Sequence, residues 1–160
     1  VLRIALGSFL HLDGYVKRIE EVVQYMLRHS ALHEDDLMAI WLSQADAHDV
    51  AARNNRNLIE QLGWDLNHGQ QTQLLQCFKR SWADAKGDEK AKAELLAFIK
   101  NLAKDGREAH LPNEVLKLLW DFIHDPVTPA STINIAMDAF TVIVTACVTS
   151  SHCSSCCSRS

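Results

Sequence analysis

The chain has 160 residues, 48% of them hydrophobic and 22% charged, which is enough apolar surface to bury a core and too much for an intrinsically disordered segment. Six glycines and three prolines are few for a β-sandwich or barrel, which needs a turn every eight to twelve residues or so. Sixteen Lys and Arg against twenty Asp and Glu, a formal charge of −4, create no field that would gather nucleic acid.

Helical periodicity begins at Val16. Val16, Ile19, Val22, Val23, Met26 and Leu27 recur at steps of three and four among charged residues, the pattern of one amphipathic helix. Glu34, Asp35 and Asp36 precede Leu37, Met38, Ile40, Trp41 and Leu42, so negative charge falls where a helix N-terminus concentrates partial positive charge, and a second helix is predicted to start near His33. Asp46 is placed to cap a third. That helix keeps Val50, Leu58, Ile59 and Leu62 on one side, turns Arg53, Asn54, Asn55, Arg56 and Asn57 to water, and ends around Trp64.

Asn67 and Gln70 have capping-box spacing, each side chain accepting an amide that the first turn leaves unpaired. Leu74, Leu75, Phe78 and Trp82 follow as the buried stripe. Residues 83–87 read as a turn and Asp88 as the next cap, ahead of Leu95, Leu96, Phe98, Ile99 and Leu102. Pro112 fits the first turn of another helix, where its missing amide costs nothing, and Asp125 with Pro126 ends it. Thr128 followed by Pro129 starts one more, through Ile133, Ile135, Ala136, Met137 and Phe140.

The pattern predicts an all-α chain of about seven helices joined by short loops, best satisfied by an armadillo- or HEAT-like α-solenoid in which each apolar stripe packs on its neighbours. Residues 1–14 precede the first periodic helix and receive no element. Residues 15–140 form the helical region. Residues 141–160 differ: Thr141 to Thr145 is β-branched throughout and finishes the preceding helix or forms a frayed strand, and the Ser/Cys-rich end is expected to be disordered from about Ser150. The longest strongly apolar stretch, Ala139 to Val148, falls short of the roughly 20 residues that span a bilayer, so no membrane segment is predicted. The start at Val1 suggests a processed or partial product.

Chemistry-bearing residues are sparse. Cys77, Cys147, Cys153, Cys156 and Cys157 form no disulfide framework, which points to a reducing, cytoplasmic setting. His152, Cys153, Cys156 and Cys157 carry zinc-type donors, but all within six residues, whereas structural zinc sites draw ligands from two separated clusters. His29 and His33 have the spacing of a two-histidine metal site but straddle a helix boundary. Cys77 with His68 or His110 would be the only thiol–imidazole pairing to consider, and Cys77 lies on an apolar helix side where cysteine behaves as a small hydrophobe. No phosphate loop, Gly-x-Ser-x-Gly or His-Glu-x-x-His occurs. No catalytic, cofactor-binding or metal-ligating residue is therefore assigned, and no cofactor. Trp41, Trp64, Trp82 and Trp120 continue helical apolar periods and are read as core residues in preference to partner anchors.

An ordered series of short segments adds to this reading: Ile40-Trp41 with Gln44-Ala45; Leu62-Gly63-Trp64-Asp65; Cys77-Phe78-Lys79 with Ser81-Trp82; and Leu116-Lys117-Leu118-Leu119-Trp120 with His124-Asp125. In order and spacing, over Glu34 to Phe140, it resembles the helical region upstream of the catalytic domain in the large fat-facets-type (FAF-X/FAF-Y) ubiquitin-specific proteases. The resemblance implies a non-catalytic, armadillo-like scaffold segment of a cytoplasmic thiol deubiquitinase. Its partners would be proteins, the deubiquitinase's substrates and ubiquitinated proteins among them, with no nucleic acid and no membrane. The family's catalytic cysteine and histidine boxes do not occur here, so Cys77 inherits no catalytic role, and the tail beyond Phe140 departs from the family pattern. The alternative is a stand-alone α-helical interaction adaptor with no enzyme attached.

Overall fold

The computed structural model describes residues 13–43, 49–63, 65–104 and 110–156. Among them are seven helices and no strand: α1 (Asp13–Arg28), α2 (Glu34–Leu42), α3 (Asp49–Leu62), α4 (His68–Asp84), α5 (Glu89–Ala103), α6 (His110–Ile123) and α7 (Ala130–Cys156). The chain divides into two compact units, 1–77 and 78–160.

In the first unit the core is built by Ile19 and Val23 of α1, Leu37 and Ile40 of α2, Leu58, Ile59 and Leu62 of α3, and Leu74 and Cys77 of α4. The buried stripe of α1 is narrower than its apolar pattern suggests, since Val22 is half exposed. The helix closes on Ser30 at φ 53°. Ala31 N–H donates to the Met26 carbonyl at 2.7 Å and Ser30 N–H to Leu27 at 3.0 Å, the paired bonds of a Schellman cap, here with serine in the left-handed position that glycine usually fills.

Two polar side chains tie these helices together. Asn55, expected to face water, is fully buried; its Nδ2 donates to Ser43 Oγ at 2.6 Å, and Ser43 Oγ donates to the Ile40 carbonyl at 2.7 Å. Its position explains this. Residue 55 precedes Leu58, Ile59 and Leu62 by three, four and seven, so it continues the buried stripe. Val50, expected on that stripe, is half exposed. At the start of α4 the capping box forms as read: Gln70 N–H donates to Asn67 Oδ1 at 3.0 Å and Asn67 N–H to Gln70 Oε1 at 2.9 Å. Gln70 does more, because its Nε2 donates to the Leu32 carbonyl at 2.6 Å and so pins the α1–α2 loop to α4. The proposed caps and ends at Asp46 and Trp64 lie outside the described residues.

The second unit is organised by α5, whose Leu95, Leu96, Phe98, Ile99 and Leu102 are all buried. Asp88 caps it, accepting from Ala91 N–H at 3.0 Å, and the turn before it passes through Gly87 at φ +76°, a conformation that costs other residues a steric penalty. Phe78 meets Phe98 edge to face at 5.6 Å. Helix α6 takes Pro112 in its first turn and buries Leu111, Val115, Leu118, Leu119 and Phe122.

Helix α7 packs against α5 and α6 through Thr132, Ala136, Ala139 and Ile143. It begins one residue after Pro129, whose carbonyl accepts Ile133 N–H at 3.0 Å, and the β-branched run stays helical. The backbone continues as helix to Cys156, where disorder was expected from Ser150. Residues 157–160 lie outside the described residues. Tertiary contacts hold the first half of α7, and among residues 130–149 only Asp138 is charged. Ala130–Thr149 is in fact long and apolar enough to cross a bilayer by length and composition, with 22% of that stretch buried in the fold, a longer segment than the ten residues read from sequence. The helix packs on α5 and α6, with Lys100 bonded to Asp138 at 3.2 Å and Ser131 to Glu89 at 2.7 Å.

Candidate functional site

Among the described residues, those with possible chemistry are not brought together. His29 is exposed in the Schellman turn and lies against Tyr25, ring centroids 4.2 Å apart, whereas His33 precedes α2 and takes its backbone N–H bond to Asp36 Oδ2 at 3.2 Å. Cys77 is buried, its Sγ 3.5 Å from Met38 Sδ. His68 stands nine residues earlier on the same helix, which is about 13 Å of rise and half a turn out of phase, and it is exposed. A thiolate–imidazole contact between them is therefore excluded by helix geometry. The side chains of His110, His152, Cys153 and Cys156, and all of Cys157, lie outside the described residues. Among the described residues no three His, Cys, Asp or Glu side chains converge in a way that would hold a metal ion. A hollow beside the end of α1 is lined by Gln24, Leu27, Arg28 and Asp65.

The most connected side-chain cluster lies in the second unit around Trp82. Its indole stacks on Phe122 with centroids 4.1 Å apart and planes within 3°. The ring N–H donates to Asp125 Oδ2 at 3.1 Å, and the Lys92 ammonium sits 4.4 Å from the ring centroid. Asp125 Oδ1 also accepts from Val127 N–H at 3.2 Å. Its carboxyl is held below the usual carboxylate pKa, first by the Val127 backbone bond, then by the Trp82 indole, with the Lys92 charge adding to them against the opposing effect of burial. Sequence reading placed Asp125 as a helix stop; the structure adds that it clamps the α6–α7 turn to the aromatic core. The buried Lys92 over the ring and the one hydrogen bond that each Asp125 oxygen accepts make the cluster a structural staple.

The tryptophans divide. Trp82 is core and Trp41 half-buried, but Trp120, read as core, is 54% exposed. Trp64 lies outside the described residues. Residues 118, 119 and 122 already fill the inward face of α6, and residue 120 points away from them by the helical period. Trp120 leans on His124 at 4.2 Å and lies 6.3 Å from Phe140, on the margin of an outward α7 face that includes Met137, Val144 and Val148. What the chain offers to other molecules is thus helix surface with aromatic and aliphatic side chains, the composition that dominates protein interfaces.

Comparison with known proteins agrees with this architecture. A family described as "UBP24/USP9X/USP9Y ARM repeat" matches residues 1–157, beyond both ends of the series read from sequence. The chain is 33% identical over 139 residues to human "Ubiquitin carboxyl-terminal hydrolase 9Y", covering 87% of this chain and 5% of that protein, and equally to mouse "Ubiquitin carboxyl-terminal hydrolase 9X". It is 31% identical over 144 residues to the Drosophila melanogaster "Probable ubiquitin carboxyl-terminal hydrolase FAF", covering 90% and 5%. The chain spans about a twentieth of the length of these relatives. An all-α chain with stacked apolar stripes, matched by an armadillo-repeat family over nearly its whole length, is a solenoid-type segment, and the chain belongs to the UBP24/USP9X/USP9Y ARM repeat family.

Proposed function

We propose that this chain is a non-catalytic scaffold segment of a large cytoplasmic deubiquitinating enzyme, and that its helix surfaces hold protein substrates and position them for a protease domain elsewhere in the polypeptide. The observation that carries the reading is the family match across residues 1–157 in relatives of which the segment is only 5%. The dispersed histidines and buried Cys77 support a binding role over a chemical one, and the exposed aromatic and aliphatic surface around Trp120 supports protein partners. The charge of −4 disfavours nucleic acid, and the docking of α7 on α5 and α6 favours a non-membrane setting. No cofactor is required by this role.

The test is deletion of the homologous segment from human ubiquitin carboxyl-terminal hydrolase 9Y. Hydrolysis of a ubiquitin–fluorophore conjugate, which needs only the protease domain, is expected to stay within about twofold, while deubiquitination of intact protein substrates falls by about tenfold, the equivalent of roughly 1.4 kcal/mol of lost substrate binding. Equal loss on both substrates would assign the segment to the catalytic machinery instead.

A further inference from the structure

We propose that α7 is a self-association surface, through which two copies of this chain pair along one seam. The seam is specific. Asn134, Met137, Thr141, Val144 and Val148 follow one another at steps of three, four, three and four, the heptad period that lets two helices stay in contact along their length. All five are exposed, and they lie on the side of α7 opposite Thr132, Ala136, Ala139 and Ile143, which are buried against the rest of the unit. Pairing along the seam therefore leaves the packing of α7 on α5 and α6 intact.

Three properties of the seam favour a second copy as its occupant. No charged residue occurs from Ala139 to Thr149, and Asp138, beside the seam, is already paired with Lys100 at 3.2 Å; two such faces meet without like-charge repulsion, whereas a charged partner face would be buried without a counter-charge. The threonine hydroxyls are satisfied within the helix, Thr141 donating to the Met137 carbonyl at 2.9 Å, Thr145 to Thr141 at 2.8 Å and Thr149 to Thr145 at 3.1 Å. Closing water out of the seam thus strands no hydroxyl donor. From Asn134 to Val148 the seam rises about 21 Å, two full heptads; of its two polar positions, Thr141 is satisfied within the helix and Asn134 is of the kind that pairs with its own copy and sets register. Trp120, 6.3 Å from Phe140, stands at its edge as an aromatic rim.

The proposal goes beyond the scaffold reading and does not depend on it, since a chain can pair with itself whether or not it binds substrates. The experiment is sedimentation equilibrium of the full 160-residue chain, under reducing conditions so that cysteines cannot cross-link, from low to several hundred micromolar. The expected result is a monomer–dimer equilibrium that Val144→Glu shifts to monomer, with at least a tenfold weaker dissociation constant, while Val127→Glu, at an 80%-exposed position off the seam, leaves it unchanged. Thr141→Lys serves as the second seam variant, and far-UV circular dichroism of each verifies that helicity is retained. A chain that stays monomeric throughout, including one that binds a hydrophobic dye or lipid vesicles as a monomer, overturns the proposal. So does a dimer indifferent to both seam variants.

Discussion

Trp82→Ala is expected to lower the free energy of unfolding of the second unit by about 3–5 kcal/mol, the range for deleting a large buried aromatic side chain. Trp82 is 5% exposed and its loss acts in three places. The stack on Phe122 disappears, a cavity opens between α4 and α6, and Asp125 and Lys92 lose the ring that joins them. Trp82→Phe separates these effects, because it keeps an aromatic ring against Phe122 but removes the indole donor, and should cost about 1.5–3 kcal/mol, the net worth of a hydrogen bond to a charged group.

The same cluster fixes a pH dependence. The Asp125 carboxyl is depressed below its ordinary value of 3.8 in the folded chain, so the folded state favours the ionised form. Its contribution is fully present above that ordinary value and declines as the pH falls through the lower, folded pKa. Urea titrations of the wild-type chain and Trp82→Phe check this, and the variant should lose less stability on acidification. A Trp82→Ala chain destabilised by less than about 1 kcal/mol would mean that the cluster is peripheral to the core.

Gln70→Ala is expected to cost about 2–3 kcal/mol, more than a surface helix cap, which is worth about 1 kcal/mol. The glutamine is 5% exposed and its amide does two jobs at once: Oε1 accepts from Asn67 N–H and Nε2 donates to the Leu32 carbonyl, 38 residues away. Alanine removes both partners; the N–H of the exposed Asn67 can turn to water, but the carbonyl of the buried Leu32 is stranded and carries its desolvation penalty. Gln70→Glu is the more discriminating variant. It keeps the acceptor for Asn67 but sets a carboxylate against the Leu32 carbonyl, so it should be destabilised at neutral pH and partly restored once the acid is protonated and can donate. Thermal melts at two pH values measure this, and equal melting of Gln70→Glu and wild type at neutral pH would show that the Leu32 bond contributes nothing.

These two sites also mark how far the amino-acid order alone carries. Asp88, the Asn67–Gln70 box and the α5 stripe were readable because the partners lie within one turn of helix, where spacing fixes geometry. The Gln70–Leu32 bond was not, because it joins residues 38 apart whose meeting depends on tertiary packing. Asn55 reads as water-facing by its polarity, but its register with Leu58, Ile59 and Leu62 places it inside; period outweighs residue type. Trp120 departs in the opposite sense: it reads as a continuation of the apolar period of α6, but the inward positions are taken by Leu118, Leu119 and Phe122. The continuation of α7 past Phe140 was obscured by β-branched residues, whose weak helix preference is overridden where Ala139 and Ile143 pack on α5 and α6. The Schellman turn at Ser30 left no signal, because no glycine marks it.

For function the balance differs. Family membership rests on the match across residues 1–157, which also carries the scaffold reading, and that reading spreads function over helix faces and away from any focal site. That distribution makes a direct test simple. The purified chain, incubated at micromolar concentration with a ubiquitin–fluorophore conjugate under reducing conditions, is predicted to release fluorophore no faster than buffer, and Cys77→Ala to behave identically. Turnover above buffer that disappears in Cys77→Ala would contradict a chain that works through its surfaces alone.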